Sequence, residues 1–385
     1  MNILFVIDTY HTNNNGTSIS AQRFAAELRN RGHNVSILCS DDQKTTEQHG
    51  ENEHKFFVKE FVVHGFDSLI KKHGFQFASI EKDVIRQAVE WADIVHCFMP
   101  FALEIYTSRY AHSLGKPCTS AFHIQPENIW SSVSLGKVKW IQDASYYNLK
   151  KWYNTFRHVH VPSQFMCRTL EEHGFTSKIH VISNGIQSDF KYTKLPKEPQ
   201  YEGKILIMMV GRLANEKRQD VIINAVPYSK YADKIQLIFA GKGPEYNKYL
   251  ELGKKLKNQP QFVYLQKDEL IHLLAQCDLY VHASDMESEA ISCIEAFAMG
   301  LVPVIANSDV SATPQFALDG RSLFIPGNPK DLARAIDYWL DNPAEKAYME
   351  KIYAKTAKRY SLENSVRMFE EMLQEEINDN QQAKK

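Results

Sequence analysis

Glu287-Ser288-Glu289-Ala290-Ile291-Ser292-Cys293-Ile294-Glu295-Ala296-Phe297-Ala298-Met299-Gly300 stands between two apolar runs, Leu279-Tyr280-Val281-His282 and Val302-Pro303-Val304-Ile305. The succession reads as strand, loop, helix and strand, one half of a βαβ unit in a parallel sheet. The loop carries Glu287, and Glu295 follows about two helical turns later. A helix that starts near Ala290 turns its free backbone N–H groups toward the space beside Glu287. Two carboxylates flanking a positive helix end suit a sugar joined to a phosphate. By itself, the stretch is equally an amphipathic helix with a solvated acid at each end.

The chain has 385 residues, which suggests two domains of ordinary size, and 44% of them are hydrophobic, enough for a substantial core. The formal charge of −1 gives no global basic field and argues against nucleic acid as a partner. Cysteines stand at 39, 97, 118, 167, 277 and 293 with no Cys-x-x-Cys pair. That usage favours reduced, buried thiols in a cytoplasmic protein over a disulfide framework or a zinc site. Asn2–Ile7 is strand-like from the outset and lacks a basic leader, and no run approaches the roughly 18 apolar residues of a membrane span. The expectation is a soluble cytoplasmic chain, with contact to the inner face of a membrane as the open alternative.

Working outward, the first half alternates in the same way. A strand at Asn2–Ile7 leads through the loop Thr9–Ser18 into a helix from about Ser18 to Arg31, closed by Gly32-His33, and Val35–Cys39 is the next strand. This is a doubly wound opening. It carries no Gly-x-Gly-x-x-Gly, which disfavours a dehydrogenase. Further strands are expected at Phe56–Val63, Asp93–Phe98, 117–122, 159–161 and Ile179–Ile182, with helices at Ile80–Trp91 and Trp140–Phe156. Lys191 to Lys204 holds two prolines and four lysines without a helical period, which places a linker at 191–204 between domains at 1–190 and 205–360. In the second half, strands are expected at Ile205–Val210, Ile235–Ala240, Phe262–Leu265, Leu279–His282, Val302–Ile305 and 323–325. A last helix covers 361–380, with the stripe Val366, Phe369, Met372 and Leu373. Ligands of such sheets bind beyond the carboxyl ends of the strands.

Those strand ends carry chemistry. Ile205–Val210 runs into Gly211-Arg212-Leu213 and then Glu216-Lys217. Arg212 can fork onto phosphate oxygens and Lys217 can add a point charge, or Arg212 can pair with a structural carboxylate such as Asp220. Ile235–Ala240 ends in Gly241-Lys242-Gly243-Pro244, where glycines allow close approach of a ligand or make an ordinary turn. The order Gly211-Arg212-Leu213, Glu216-Lys217, Gly241-Lys242-Gly243-Pro244 and Glu287-x7-Glu295 with Gly300 resembles the family-4 retaining glycosyltransferases. Arg31-Gly32-His33, Pro162-Ser163 and Ile182-Ser183-Asn184-Gly185 fit the same family in the same order, so the resemblance spans nearly the whole chain. Three departures stand out. Asn15-Gly16 replaces a common Gly-Gly, Arg218 follows Lys217 where glycine is common, and Glu289-Ala290 occupies positions that are often aromatic or small and glycine.

The resemblance implies an α/β protein of GT-B type, with two facing Rossmann-like domains, acceptor bound mainly by the first and donor by the second. The C-terminal helix would cross back to the first domain. It implies a retaining hexosyltransferase that uses a nucleotide diphosphate sugar, most often a UDP-sugar, to build a glycolipid, polysaccharide or protein-linked glycan. Arg212 and Lys217 would hold the diphosphate and the backbone at Ala290, Ile291 and Ser292 would cap it. Glu295 would bind ribose, and Glu287 and His123 would lie against the transferred sugar, with Gly16 in a donor and acceptor loop. A nucleophile for double displacement is not evident. The implied reaction is same-face attack assisted by the leaving diphosphate, with the protein supplying position and charge. Without an Asp-x-Asp motif and with cations at the diphosphate, no metal and no cofactor are expected. The segment 137–157 mixes Trp140, Tyr146, Tyr147, Trp152, Tyr153 and Phe156 with lysines, and reads either as a helix with a solvated basic face or as a peripheral membrane contact. A nucleotide-sugar epimerase of this architecture and a non-catalytic accessory subunit are the competing readings.

Overall fold

The computed structural model describes residues 1–10, 16–40, 55–61, 77–123, 125–127 and 138–384. The chain divides into two compact units, Met1–Gly185 with Leu362–Lys385, and Ile186–Ser361.

In the first unit, β1 (Asn2–Val6), β2 (Asn34–Ser40), β3 (Lys55–Val58), β4 (Ile94–Cys97), β5 (Cys118–Ala121), β6 (His158–Val161) and β7 (Lys178–Val181) form one sheet in the order β3-β2-β1-β4-β5-β6-β7. Every pairing in it is parallel. Alternation along β1 feeds two cores. Ile3, Phe5 and Ile7 pack on one face, and Leu4 and Val6 on the other. Helices Lys82–Trp91, Ala102–Ser113, Lys139–Tyr153 and Gln164–Glu172 cover the Leu4 face. The Phe5 face is covered by Gly16–Asn30 and by the C-terminal helix Leu362–Gln382.

The C-terminal helix is held by the stripe Val366, Phe369, Met372 and Leu373, all essentially buried. Phe369 meets Phe5, Phe24 and His96 edge to face, with ring centroids 5.9, 5.3 and 4.7 Å apart. Burial of four such side chains stabilises by roughly 6–12 kcal/mol as an upper bound. Arg31 and His33 both reach Glu370 at 2.7 Å, so the Arg31-Gly32-His33 motif fastens this helix. The helix runs on through Gln382, two residues past its expected end at 380.

In the second unit, β8 (Ile205–Val210), β9 (Ile235–Ala240), β10 (Gln261–Val263), β11 (Leu279–His282), β12 (Pro303–Ala306) and β13 (Leu323–Phe324) form a parallel sheet in the order β10-β9-β8-β11-β12-β13. Both sheets reverse direction beside their first strand, between β1 and β4 and between β8 and β11, which is the doubly wound pattern.

Several expectations need correction. Residues 191–204 are a strap on the second unit and not a linker: Leu195 N donates to Ala275 O (2.9 Å), Lys197 Nζ pairs with Asp278 (2.6 Å), and Glu198 N donates to Gln276 Oε1 (2.8 Å). The units part instead between Gly185 and Ile186. Gly185 has φ +77°, and a Cβ there would lie 2.7 Å from the Leu362 Cα, so glycine is needed where the chain leaves and rejoins the first unit. The strand expected at Phe56–Val63 is broken into Lys55–Val58 and Glu60–Phe61, and residues 62–63 lie outside those described, as do the polar stretch 41–54 and Asn15. Helix Ala102–Ser113 carried no sequence signal, because its buried face includes Glu104, Thr107 and Ser108 and so lacks an apolar period. All six cysteines are free and buried.

Candidate functional site

The switch point of the second sheet gathers most of the singled-out residues. Beyond β8 the chain passes Gly211-Arg212-Leu213 into a 3-10 turn at Asn215–Lys217, and beyond β11 it passes Asp285 and Glu287 into helix Ile291–Ala298. Asp285 N donates to Glu216 O (2.8 Å), which stitches the two loops together. Across that stitch Lys217 Nζ lies 2.5 Å from Glu287 Oε1, and His282 Nε2 donates to the same oxygen at 3.0 Å. Burial by itself would raise the Glu287 pKa, but Lys217 and His282 outweigh it and hold the carboxyl well below the usual range. Glu287 is therefore a fixed anion and a hydrogen-bond acceptor only.

Under it, Tyr280 Oη donates to Ser292 Oγ (3.2 Å), and Ser292 Oγ donates to Val210 O (3.1 Å). The Ser292 side chain is thus committed to the sheet. The first amide of the helix bonded back along it is Cys293, to Ala290 O at 3.0 Å, so the amides of Ile291 and Ser292 precede the ladder. Glu295 and Glu289 are both buried. Arg212 pairs with Glu216 at 2.7 Å, while Asp220 is taken by Arg218, which also reaches Asp285. Gly241 and Gly243 face protein: Cβ atoms there would lie 2.1 and 2.2 Å from the carbonyl oxygens of Gly211 and Leu213. These glycines let the loop after β9 lie directly on the loop after β8.

His282 and Tyr280 were missed by sequence reasoning, although a histidine closing a buried strand five residues before an acid is a visible signal. A cleft of about 530 Å³ in this unit lies at a different place, lined by Ile186, Phe190, Tyr192, Lys351, Lys355 and Lys358, and contains none of the switch-point residues.

His123 and Gly16 belong to the first unit. His123 stacks on Phe98 and meets His160 edge to face, with centroids 6.2 and 5.2 Å apart. Burial first, then His160, pulls its pKa well down, so it is neutral. Its Nε2 is shielded from solvent and has no hydrogen-bond partner among the described residues. Gly16 opens the helix Gly16–Asn30, and a Cβ there would meet nothing within 4 Å, so no close packing among the described residues requires glycine. Beyond β1, Asp8 and Glu104 form a buried acid pair that sequence reasoning also missed; burial and mutual repulsion raise Glu104 well above the usual range. In 137–157, of which residue 137 lies outside those described, Tyr146, Trp152, Tyr153 and Phe156 are core, while Trp140 and Tyr147 point outward with Lys139 and Lys151.

Two family models match the chain, one described as Glycosyltransferase Family 4 over residues 14–190 and one as Glycosyl transferases group 1 over 191–359. The chain belongs to glycosyltransferase family 4. It is 23% identical over 324 residues to the alpha-monoglucosyldiacylglycerol synthase of Streptococcus pneumoniae, covering 80% of this chain and 71% of that one. It is 26% identical over 315 residues to the GDP-mannose-dependent alpha-mannosyltransferase of Corynebacterium glutamicum, covering 79% and 72%. Among solved structures, Anabaena HepE in complex with UDP and glucose superposes with a TM-score of 0.72 at 18% identity, over 97% of this chain and 100% of that one. The fold is that of the GT-B glycosyltransferases.

Family membership gives meaning to two backbone anomalies in this glycosyltransferase. Arg218 (φ 55°) and Ala290 (φ 72°) are the non-glycine residues with positive φ among those described, and they are two of the departures noted above where glycine is common. Both border the Lys217–Glu287 pair. Left-handed backbone costs a non-glycine residue roughly 1–2 kcal/mol, and such strain gathers where a loop must present its amides in one way.

Proposed function

We propose that this glycosyltransferase is a retaining hexosyltransferase that takes a hexose from a UDP-sugar and places it on a glycolipid acceptor. The observation that carries the reading is the Lys217–Glu287–His282 cluster beside the open start of helix Ile291–Ala298. A diphosphate needs cations and unpaired amides, and a sugar needs fixed acceptors; both sets stand at one switch point. Lys217 and Arg212 bind the diphosphate, each sharing its charge with a carboxylate already in place. The amides of Ala290, Ile291 and Ser292 cap it, and Glu295 takes the ribose hydroxyls. Glu287, held ionised, accepts from hydroxyls of the sugar.

His123, neutral and with Nε2 unengaged among the described residues, offers a hydrogen bond to a sugar hydroxyl. The leaving diphosphate takes the acceptor proton on the face from which it departs, and Lys217 and the helix start stabilise the charge that builds on it. No metal takes part in these steps. UDP and glucose are bound in the Anabaena structure, and the pneumococcal relative is named for a glucosylated diacylglycerol; these support the donor and acceptor chosen here. Trp140 and Tyr147, outward beside Lys139 and Lys151, supply the membrane contact that a lipid acceptor requires.

Calorimetry with UDP, UDP-glucose, UDP-N-acetylglucosamine and GDP-mannose tests the donor. Binding confined to GDP-mannose, or an inverted anomeric product by NMR, sinks the reading. Transfer that is lost on chelation and restored by Mg²⁺ sinks metal independence.

A further inference from the structure

Where the C-terminal helix crosses the edge of the first sheet, three metal-ligating side chains converge. His158 on β6 and His180 on β7 project from neighbouring parallel strands, His158 paired in register with Lys178 and His180 with His160. His158 Nδ1 lies 2.8 Å from His180 Nε2. Glu375 on the helix turns Oε2 toward His180 Nε2 at 3.9 Å, while its other oxygen is held by Lys178. One ligand atom from each of His158, His180 and Glu375 falls within 4.8 Å of the other two. We propose that these three residues bind a divalent transition-metal ion, Zn²⁺ by the character of the donors, as a brace between the C-terminal helix and the first sheet.

The surroundings of His158 carry the argument. Its Nε2 lies 3.0 Å from Asp379 Oδ2, so that nitrogen holds the hydrogen and donates it to the carboxylate. The lone pair is thereby left on Nδ1, the atom that faces His180. A carboxylate behind a histidine is the usual support of a metal ligand, because it fixes both the tautomer and the ring. Without an ion, a single hydrogen occupies the Nδ1···Nε2 gap, supplied by His180. An ion replaces that hydrogen when His180 moves its own to Nδ1, a tautomer change that releases no proton. The two nitrogens then open from 2.8 Å to roughly 3.3 Å, the spacing of tetrahedral ligands at zinc–imidazole distances. Glu375 Oε2 is the third ligand, and its side chain is 37% exposed, which leaves a path for the ion and for a water in the fourth position. Lys178 can keep the other oxygen throughout. Two imidazoles and one carboxylate suit Zn²⁺, Co²⁺ or Ni²⁺ and not Mg²⁺.

Such an ion ties strands β6 and β7 to the turn of helix that also carries Asp379 and Asn380, the latter already held by Arg157 at 2.9 Å. The brace plays no part in the donor chemistry, and stands or falls independently of the proposed reaction.

The test uses the full chain, stripped with chelator and titrated with Zn²⁺ by calorimetry, then with Co²⁺ by visible absorption. One equivalent should bind at micromolar or tighter affinity, with the intense Co²⁺ bands of a tetrahedral site. The unfolding midpoint should rise by roughly 5 °C at a hundredfold excess over Kd. His180→Gln and Glu375→Gln should each weaken binding tenfold or more; if His180→Gln does not fold, the partly exposed Glu375→Gln carries the test alone. No saturable Zn²⁺ binding to the wild-type chain, or binding unchanged in the folded variants, overturns the proposal.

Discussion

Glu287 and Glu104 are both acids withdrawn from water, yet their neighbours drive them in opposite directions. Glu287 sits against Lys217 and His282, and its folded pKa is depressed below the ordinary 4.5. The stability it contributes is therefore fully present above that value and is lost as pH falls through the folded pKa. Glu287→Gln should lower stability at pH 7 by roughly 2 kcal/mol, with the gap to wild type closing as the pH drops below 4 in denaturant titrations. Glu104 has no cation beside it among the described residues and faces Asp8, so burial and that neighbour raise its pKa. An acid with a raised folded pKa contributes stability that is complete below the unfolded value and fades as pH rises toward the folded one. Glu104→Gln should match wild type near pH 4 and exceed it near pH 8 by more than about 1 kcal/mol. Equal pH profiles for the two proteins would refute that account of the pair.

At the scale of the element, helix Ile291–Ala298 is shaped by what precedes it. Ala290 has no side-chain cap to offer and stands in left-handed backbone, so the entry to the helix is held by the sheet beneath and by the loop from Glu287. Glu287 itself bridges to Ser311, and its carbonyl accepts from Ala312 N at 2.8 Å. Ala290→Gly should relieve the strain and raise stability by about 1 kcal/mol, read as a higher denaturant midpoint with an unchanged slope. A lower midpoint would mean that the left-handed turn is not strained. Gly241 and Gly243 play the complementary part: their missing side chains let one strand-end loop support another.

For the whole molecule, connectivity sets the behaviour. Ile186–Ser361 is one continuous stretch, while the first unit is completed by a helix that follows that stretch in sequence. The isolated segment 186–361 should fold with a single cooperative transition, because its core draws only on its own residues. A chain ending at Ser361 should lose the fold of the first unit, since the Phe5 face then stands open where Val366, Phe369, Met372 and Leu373 had packed. Circular dichroism melts of the two truncations check this, and a native-like first unit without the helix would count against it.

The alternation of apolar runs with helical segments was enough to read two parallel α/β halves, because buried parallel strands are continuous hydrophobic runs whatever their neighbours. The stripe on the last helix and the strand-end placement of Arg212, Lys217 and Glu287 were legible for the same reason: each is a local pattern. Other features were not local. Lys217 meets Glu287 across 70 residues because β8 and β11 lie side by side, and strand order is written in no single segment. His282 looked like one more strand residue until the sheet set it under that pair. The strap at 191–204 resembled a linker because its prolines and lysines are what a linker carries, and only its bonds to Ala275, Gln276 and Asp278 distinguish it. Local patterning determined which segments are strands and helices, and the tertiary structure decided which distant side chains share a charge, since that depends on which strands become neighbours.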